Sequence, residues 1–259
     1  MSRWIALSPS QHAEKGCLPR DGYTFAAGQP VAHILLAELS RLLPHYALGF
    51  IQQDEVFIPV ALLSLDGQTN LYVAPNGKWL GSYVPASLRG YPFTLANTEV
   101  GQKALCINHA HLSDDAGEPL FDEAGKRSAT VQKTLDFLSQ CEQSRVQTQH
   151  AAEVLTNAGV IEPWPLQVSR EEGQEPLTVN GLFRVSEHAL NALNEETYAA
   201  LQGPPMALAH AQLFAMSQLN QLTDRARLHD RHNADQTAEN VNDLFSEGDE
   251  DELEFDFGG

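Results

Sequence analysis

The chain has 259 residues, 42% of them hydrophobic, which is enough for one large domain or two small ones around a sizeable core. It carries 34 acids against 16 bases, a formal charge of -18, and no basic stripe. That balance argues against a nucleic-acid partner, because binding DNA or RNA depends on Lys and Arg neutralising phosphates.

In chain order, residues 1–29 are rich in Gly, Pro and polar residues and read as extended chain or short strands packed on the body. They contain no apolar run suited to a signal peptide, so the cytoplasm is the default location and non-classical export the alternative. Pro30 followed by Val31, Leu35, Leu39 and Leu42 predicts a helix over 31–43, stopped by Pro44. Residues 46–84 predict an antiparallel meander. Asp54-Glu55, Asp66-Gly67 and Asn76-Gly77 supply its turns, and Pro59 marks an edge or a bulge. A strand follows over 102–107, then a turn-rich loop over 112–128.

A long helix is expected over 130–157, with Val131, Leu135, Leu138 and Cys141 on one face and Gly159 as its C-terminal cap. Its polar second half, 142–150, is either exposed or paired with another chain. Strands at 166–169 and 177–185 come next, then a helix over 187–201 with Ser186 as N-cap, and an apolar core helix over 206–228. Ten of the acids and no Lys or Arg fall from Asp235 onward, leaving the body near -8. The cluster Arg225, Arg227 and Arg231 reads as a solvated helix end. The fold class is therefore α+β: an antiparallel meander sheet with three or four packed helices over 1–232, and a disordered acidic tail over 233–259.

Catalytic signatures are absent: no Gly-x-Ser-x-Gly, no phosphate-binding glycine loop and no His-Glu-x-x-His. The carboxylates Asp122 and Glu123 read as solvated turn residues. Cys17, Cys106 and Cys141 are odd in number and widely spaced, which argues against a disulfide framework. His109 and His111 would share one strand face, but Cys106 would face the other way, so the cluster does not assemble a metal site. No catalytic residue, metal or cofactor is assigned. No run of about 18 apolar residues occurs, so no membrane-spanning helix is expected.

Three segments resemble the SapC family. The most specific is residues 81–93, where Tyr83, Pro85, Arg89, Pro92 and Phe93 match a Tyr-x-Pro-x-x-x-Arg-x-x-Pro-Phe core. Residues 120–125 are similar to the family's acidic loop, and 181–187 to a third motif, with Phe183 where Tyr is expected and Ser186 where Asp is expected. The resemblance covers about 1–228 and implies a bacterial source and an association with surface-layer proteins, but no reaction.

Pro85 and Pro92 keep segment 83–93 out of a sheet or helix centre, so it is a shaped loop. Arg89 either satisfies carbonyls of that loop, with Tyr83 and Phe93 as anchors, or joins Tyr83 and Tyr91 in recognising an anionic or peptide ligand. In the tail, Phe255 and Phe257 stand among acids in the pattern of a docking motif. A solubilising segment or an export signal would have the same composition. The expected function is a non-enzymatic accessory protein with a protein partner docked by the tail and the 83–93 loop, its oligomeric state open. A modifying enzyme with a pocket near Arg89, and an exported surface-layer-associated component, are the alternatives.

Overall fold

The structure, a computed structural model, describes residues 3–98, 101–168 and 177–231. Strand β1 (Trp4–Ala6) is followed by a single turn of 3-10 helix at Thr24–Ala26, strand β2 (Val31–His33) and the short helix α1 (Leu39–Leu42). Strands β3 (Leu48–Gln53) and β4 (Val56–Leu62) form a hairpin. Helix α2 (Ala86–Arg89), β5 (Phe93–Asn97), β6 (Lys103–Asn108) and the long α3 (Ala129–Asn157) come next. The chain continues through β7 (Ile161–Pro163), β8 (Leu166–Val168), β9 (Leu177–Val179) and β10 (Leu182–Val185). It closes with helices α4 (Glu187–Asn191), α5 (Glu195–Ala200), α6 (Pro204–Ala215) and α7 (219–231).

Among the described residues all strand pairing is antiparallel, in keeping with the α+β reading. The largest sheet has five strands in the order β7-β10-β3-β4-β2, and a second has β1-β6-β5. Strands β8 and β9 pair with each other, and the two-residue strand Gly16–Cys17 lies between Leu112–Ser113 and Glu118–Pro119. The β3–β4 turn is Asp54-Glu55, with φ of 47° and 65°: both central residues take the left-handed conformation that a two-residue hairpin demands. Pro59 sits where the β2 ladder ends. Val60 is the last residue of β4 paired with β2, and the Pro59 carbonyl then accepts Ile34 N–H at 3.2 Å. A missing donor costs least at that position, so the edge expectation holds locally.

Three helix expectations change. Val31–His33 is a strand, not the start of a helix: it pairs with β4 and only then enters a 3-10 turn and α1. The apolar spacing there fits either form, and a free strand edge beside β4 decided between them. The helix expected over 187–201 breaks at Asn194, whose side chain caps α5 by accepting Thr197 N–H at 2.8 Å. The one expected over 206–228 starts at Pro204, passes through a 3-10 turn at Met216–Gln218, and continues as α7. Residues 63–85 form bridged turns, with a lone bridge between Val73 and Trp79, instead of further strands.

Helix α3 joins two apolar cores. Its N-terminal Val131, Leu135 and Leu138 pack with Phe93, Leu105 and Ile107 of the three-stranded sheet. Its C-terminal Ala151, Ala152 and Leu155 pack with Phe50, Leu62 and Leu208 against the five-stranded sheet. The polar middle of α3 is largely exposed, with Thr148 and Gln149 bonded within the chain. Thr148, buried, accepts Leu36 N–H at 2.9 Å and donates to the Ser144 carbonyl, while Gln149 Nε2 donates to the Phe57 carbonyl. Opposite, buried Gln212 on α6 accepts Val185 N–H and donates to the Leu48 carbonyl, tying that helix to β10 and β3.

Candidate functional site

Segment 83–93 is organised around a residue that sequence reasoning passed over. Glu38 ends the 3-10 turn Leu36–Glu38 and is 4% exposed. Its Oε1 accepts Leu35 N–H at 3.0 Å, the reach-back of a helix-start carboxylate. Its Oε2 accepts the Tyr83 hydroxyl at 2.8 Å and Ala86 N–H at 2.8 Å. One carboxylate thus ties the start of α1 to the start of α2. Burial raises its pKa above the usual carboxylate range, opposed by these three donors and by Arg89. Burial, with the Glu38 carboxylate beside it, also pushes the Tyr83 phenol up to about 12.

The Tyr83 backbone is held as firmly as its side chain. Its carbonyl accepts Trp79 Nε1–H at 3.0 Å and the Tyr46 hydroxyl, and Tyr46 and Tyr72 rings pack 4.7 Å apart behind it. Arg89 donates to the Tyr83 hydroxyl at 3.3 Å and lies over the Tyr83 and Phe137 rings at 5.4 and 4.9 Å. Its partners are a phenol and two ring faces rather than loop carbonyls.

Tyr91 turns the other way. Its ring stacks on Phe25 at 3.8 Å and 7°, and meets Trp4 edge-on at 6.3 Å. Its hydroxyl lies 3.0 Å from His111 Nε2, and His111 Nδ1 lies 3.1 Å from the Leu18 carbonyl. A carbonyl can only accept, so Nδ1 donates to it, and in the neutral tautomer this leaves Nε2 to accept from the Tyr91 hydroxyl. Clamped at ring and hydroxyl, Tyr91 is a rigid wall. The Tyr91-Pro92 peptide bond is cis.

That wall bounds a cavity of about 380 Å³ between β2 and β5. Trp4, Phe25, Tyr91 and Phe93 line it with rings, and Gln29, His33, Ser87 and Thr94 with polar groups. None of the described residues that line it is Asp, Glu, Lys or Arg, and desolvation, with Arg145 nearby, lowers the His33 pKa and so favours its neutral form. The volume falls within the roughly 300–1,000 Å³ of small-ligand sites. Trp4, at the rim, is 41% exposed.

Of the residues expected to bind, the structure therefore brings Tyr83 and Arg89 together in one network and places Tyr91 in another. Arg89 does not line the cavity. Phe255 and Phe257 lie outside the described residues. His109 and His111 are not on a strand. The Asn108 side chain accepts Ala110 N–H at 3.0 Å and turns the chain into 3-10 helix, so the alternation of faces ends there. Among the described residues no three His, Cys, Asp or Glu side chains are grouped to hold a metal. Burial raises the pKa of all three thiols, Cys17 to about 11, which keeps them protonated. The Asp122 carboxylate accepts Ala124 and Lys126 N–H groups and shapes its own turn.

Sequence reasoning missed Glu38, Trp4, Phe25 and His33. Only Glu38 left a signal, as the one acid in the apolar run from Ile34 to Leu43. A comparison with protein families matches the SapC model to residues 7–222. No curated protein and no solved structure matches the chain.

Proposed function

Since the chain belongs to the SapC family, for which resemblance supplies no reaction, we propose from the site itself that it is a non-enzymatic accessory protein that binds an uncharged aromatic group. The observation that supports this is the split within segment 83–93. Tyr83 and Arg89 are engaged inside the chain, while Tyr91 walls a cavity whose described lining residues include four rings and no Asp, Glu, Lys or Arg. Aromatic walls with a few polar groups between them favour a flat ligand that carries one or two hydrogen-bonding atoms. The group is borne by a small molecule or by an exposed side chain of a protein partner.

Ligand-observed NMR on the full chain tests this, with uncharged heteroaromatic fragments in one arm and acetylated aromatic amino-acid amides in the other. Binding in either arm that Trp4→Ala weakens and Arg89→Ala leaves unchanged supports the cavity, and the arm that binds names the source. Binding lost with Arg89→Ala but kept with Trp4→Ala overturns it, as does no binding at millimolar ligand.

A modifying enzyme is the second reading, and one observation favours it: the Tyr91 phenol donates to an imidazole of defined tautomer at the cavity wall. Such a pair accepts and returns a proton, which is general acid–base chemistry. Turnover of a bound ligand, abolished by His111→Ala with binding retained, would favour it over simple recognition.

A further inference from the structure

A second concavity, of about 240 Å³, opens where the described chain ends. Leu71, Val73, Leu80 and Leu228 give it apolar walls, Arg225 stands at its side, and among the described residues no carboxylate lines it. It lies below the roughly 300–1,000 Å³ of small-ligand sites, a size suited to one or two bulky side chains. Leu80 and Leu228 are 50% and 64% exposed, so the apolar surface is accessible among the described residues. Arg225 is fixed in place: its guanidinium lies 4.4 Å above the Tyr72 ring and donates to the Leu80 carbonyl at 3.4 Å.

Helix α7 carries Leu228 to this groove and reaches its last described residue, Arg231, within one further turn. Residues 232–259 follow. Within them, 247–257 set Leu253, Phe255 and Phe257 among seven of the tail's acids: Glu247, Asp249, Glu250, Asp251, Glu252, Glu254 and Asp256. An apolar cleft flanked by a fixed cation complements that pattern in hydrophobicity and, at Arg225, in charge.

We propose that residues 247–257 dock in this groove on their own molecule, with the phenylalanines between Leu80 and Leu228 and the carboxylates toward Arg225. The connection is long enough. A segment of 15 residues, the length of 232–246, reaches up to about 50 Å when fully extended. A linker of that length holds the motif at an effective concentration on the order of 1 mM, so a motif with a dissociation constant of about 0.1 mM is mostly docked. The docked tail covers the exposed Leu80 and Leu228 and must be displaced by any partner that recognises either surface. This inference is independent of the cavity at Tyr91.

The test uses a fluorescein-labelled peptide of residues 247–257 and two full-length chains, the natural one and the double variant Phe255→Ala/Phe257→Ala. In the natural chain the groove is already filled. The variant is expected to bind the peptide with a dissociation constant of about 0.1 mM by anisotropy, and the natural chain about tenfold more weakly, the factor set by an effective concentration on the order of 1 mM. Adding Leu228→Asp to the variant is expected to abolish binding, with near-UV circular dichroism unchanged because Leu228 is largely exposed. Equal binding to both chains, no binding to the variant, or binding that survives Leu228→Asp overturns the proposal.

Discussion

Glu38 is the sharpest test of how segment 83–93 is held. In Glu38→Gln the amide keeps one acceptor oxygen. Whichever way it is turned, the other position presents N–H to a donor, and either Leu35 N–H or Ala86 N–H loses its partner. The Tyr83 hydroxyl can rotate and accept, so it is not stranded. One orphaned buried N–H costs about 1–3 kcal/mol. Glu38→Ala strands both backbone donors, for about 2–6 kcal/mol on the same scale. Tyr83→Phe removes one donor to the carboxylate and strands nothing on the backbone, so it costs less than either, about 1 kcal/mol.

Urea unfolding read by near-UV circular dichroism and fluorescence measures all three. The pH dependence provides a separate check. Burial raises the folded-state pKa of Glu38 above the unfolded value of about 4.3. Its contribution is therefore fully present below that unfolded value and is lost as pH rises through the folded one. The cost of Glu38→Gln is thus largest near pH 4 and shrinks toward neutrality. A cost that grows with pH would mean that the three donors outweigh burial. Glu38→Ala costing no more than Glu38→Gln would refute the account of stranded backbone donors.

Two further outcomes follow from local geometry. Glu55 holds a φ of 65° in the β3–β4 turn, a conformation that costs an ordinary L-residue about 1–2 kcal/mol, so Glu55→Gly is expected to raise the thermal midpoint by a few degrees. A lowered midpoint in calorimetry would contradict that reading of the hairpin. A Cβ at Gly16 would stand 2.3 Å from the Ala116 carbonyl oxygen, a backbone atom that cannot swing aside. Gly16→Ala is therefore expected to cost about 1–3 kcal/mol, typical of overpacking, and to loosen 112–119 in hydrogen exchange. Unchanged exchange there would show that the small sheet adapts freely.

Local signals in the chain were sufficient for several elements. Long α3 was readable from its spaced Val131, Leu135 and Leu138 and from Gly159, which takes φ 69° at its end. The β3–β4 hairpin was readable from two apolar runs around two polar residues, and β6 from the short, largely apolar segment 102–107. Composition alone set the acidic tail apart, and the 83–93 motif was enough to point to the family, since spacing and residue type are written in the chain itself.

Tertiary structure decided what depends on distant neighbours. Val31–His33 became a strand because β4 offered an unpaired edge some 30 residues away, and a short apolar run has no strong preference of its own. In the polar middle of α3 most side chains stay exposed, but Thr148 and Gln149 are bonded within the chain because Leu36 and Phe57 come to meet them. Most of all, the roles within 83–93 separated only in three dimensions. Tyr83 and Tyr91 look equivalent as two aromatic residues in one loop. One is claimed by Glu38, 45 positions earlier, and the other by Phe25 and His111. A side chain's role follows from the partner it meets, and contacts between such distant residues exist only once the chain has closed on itself.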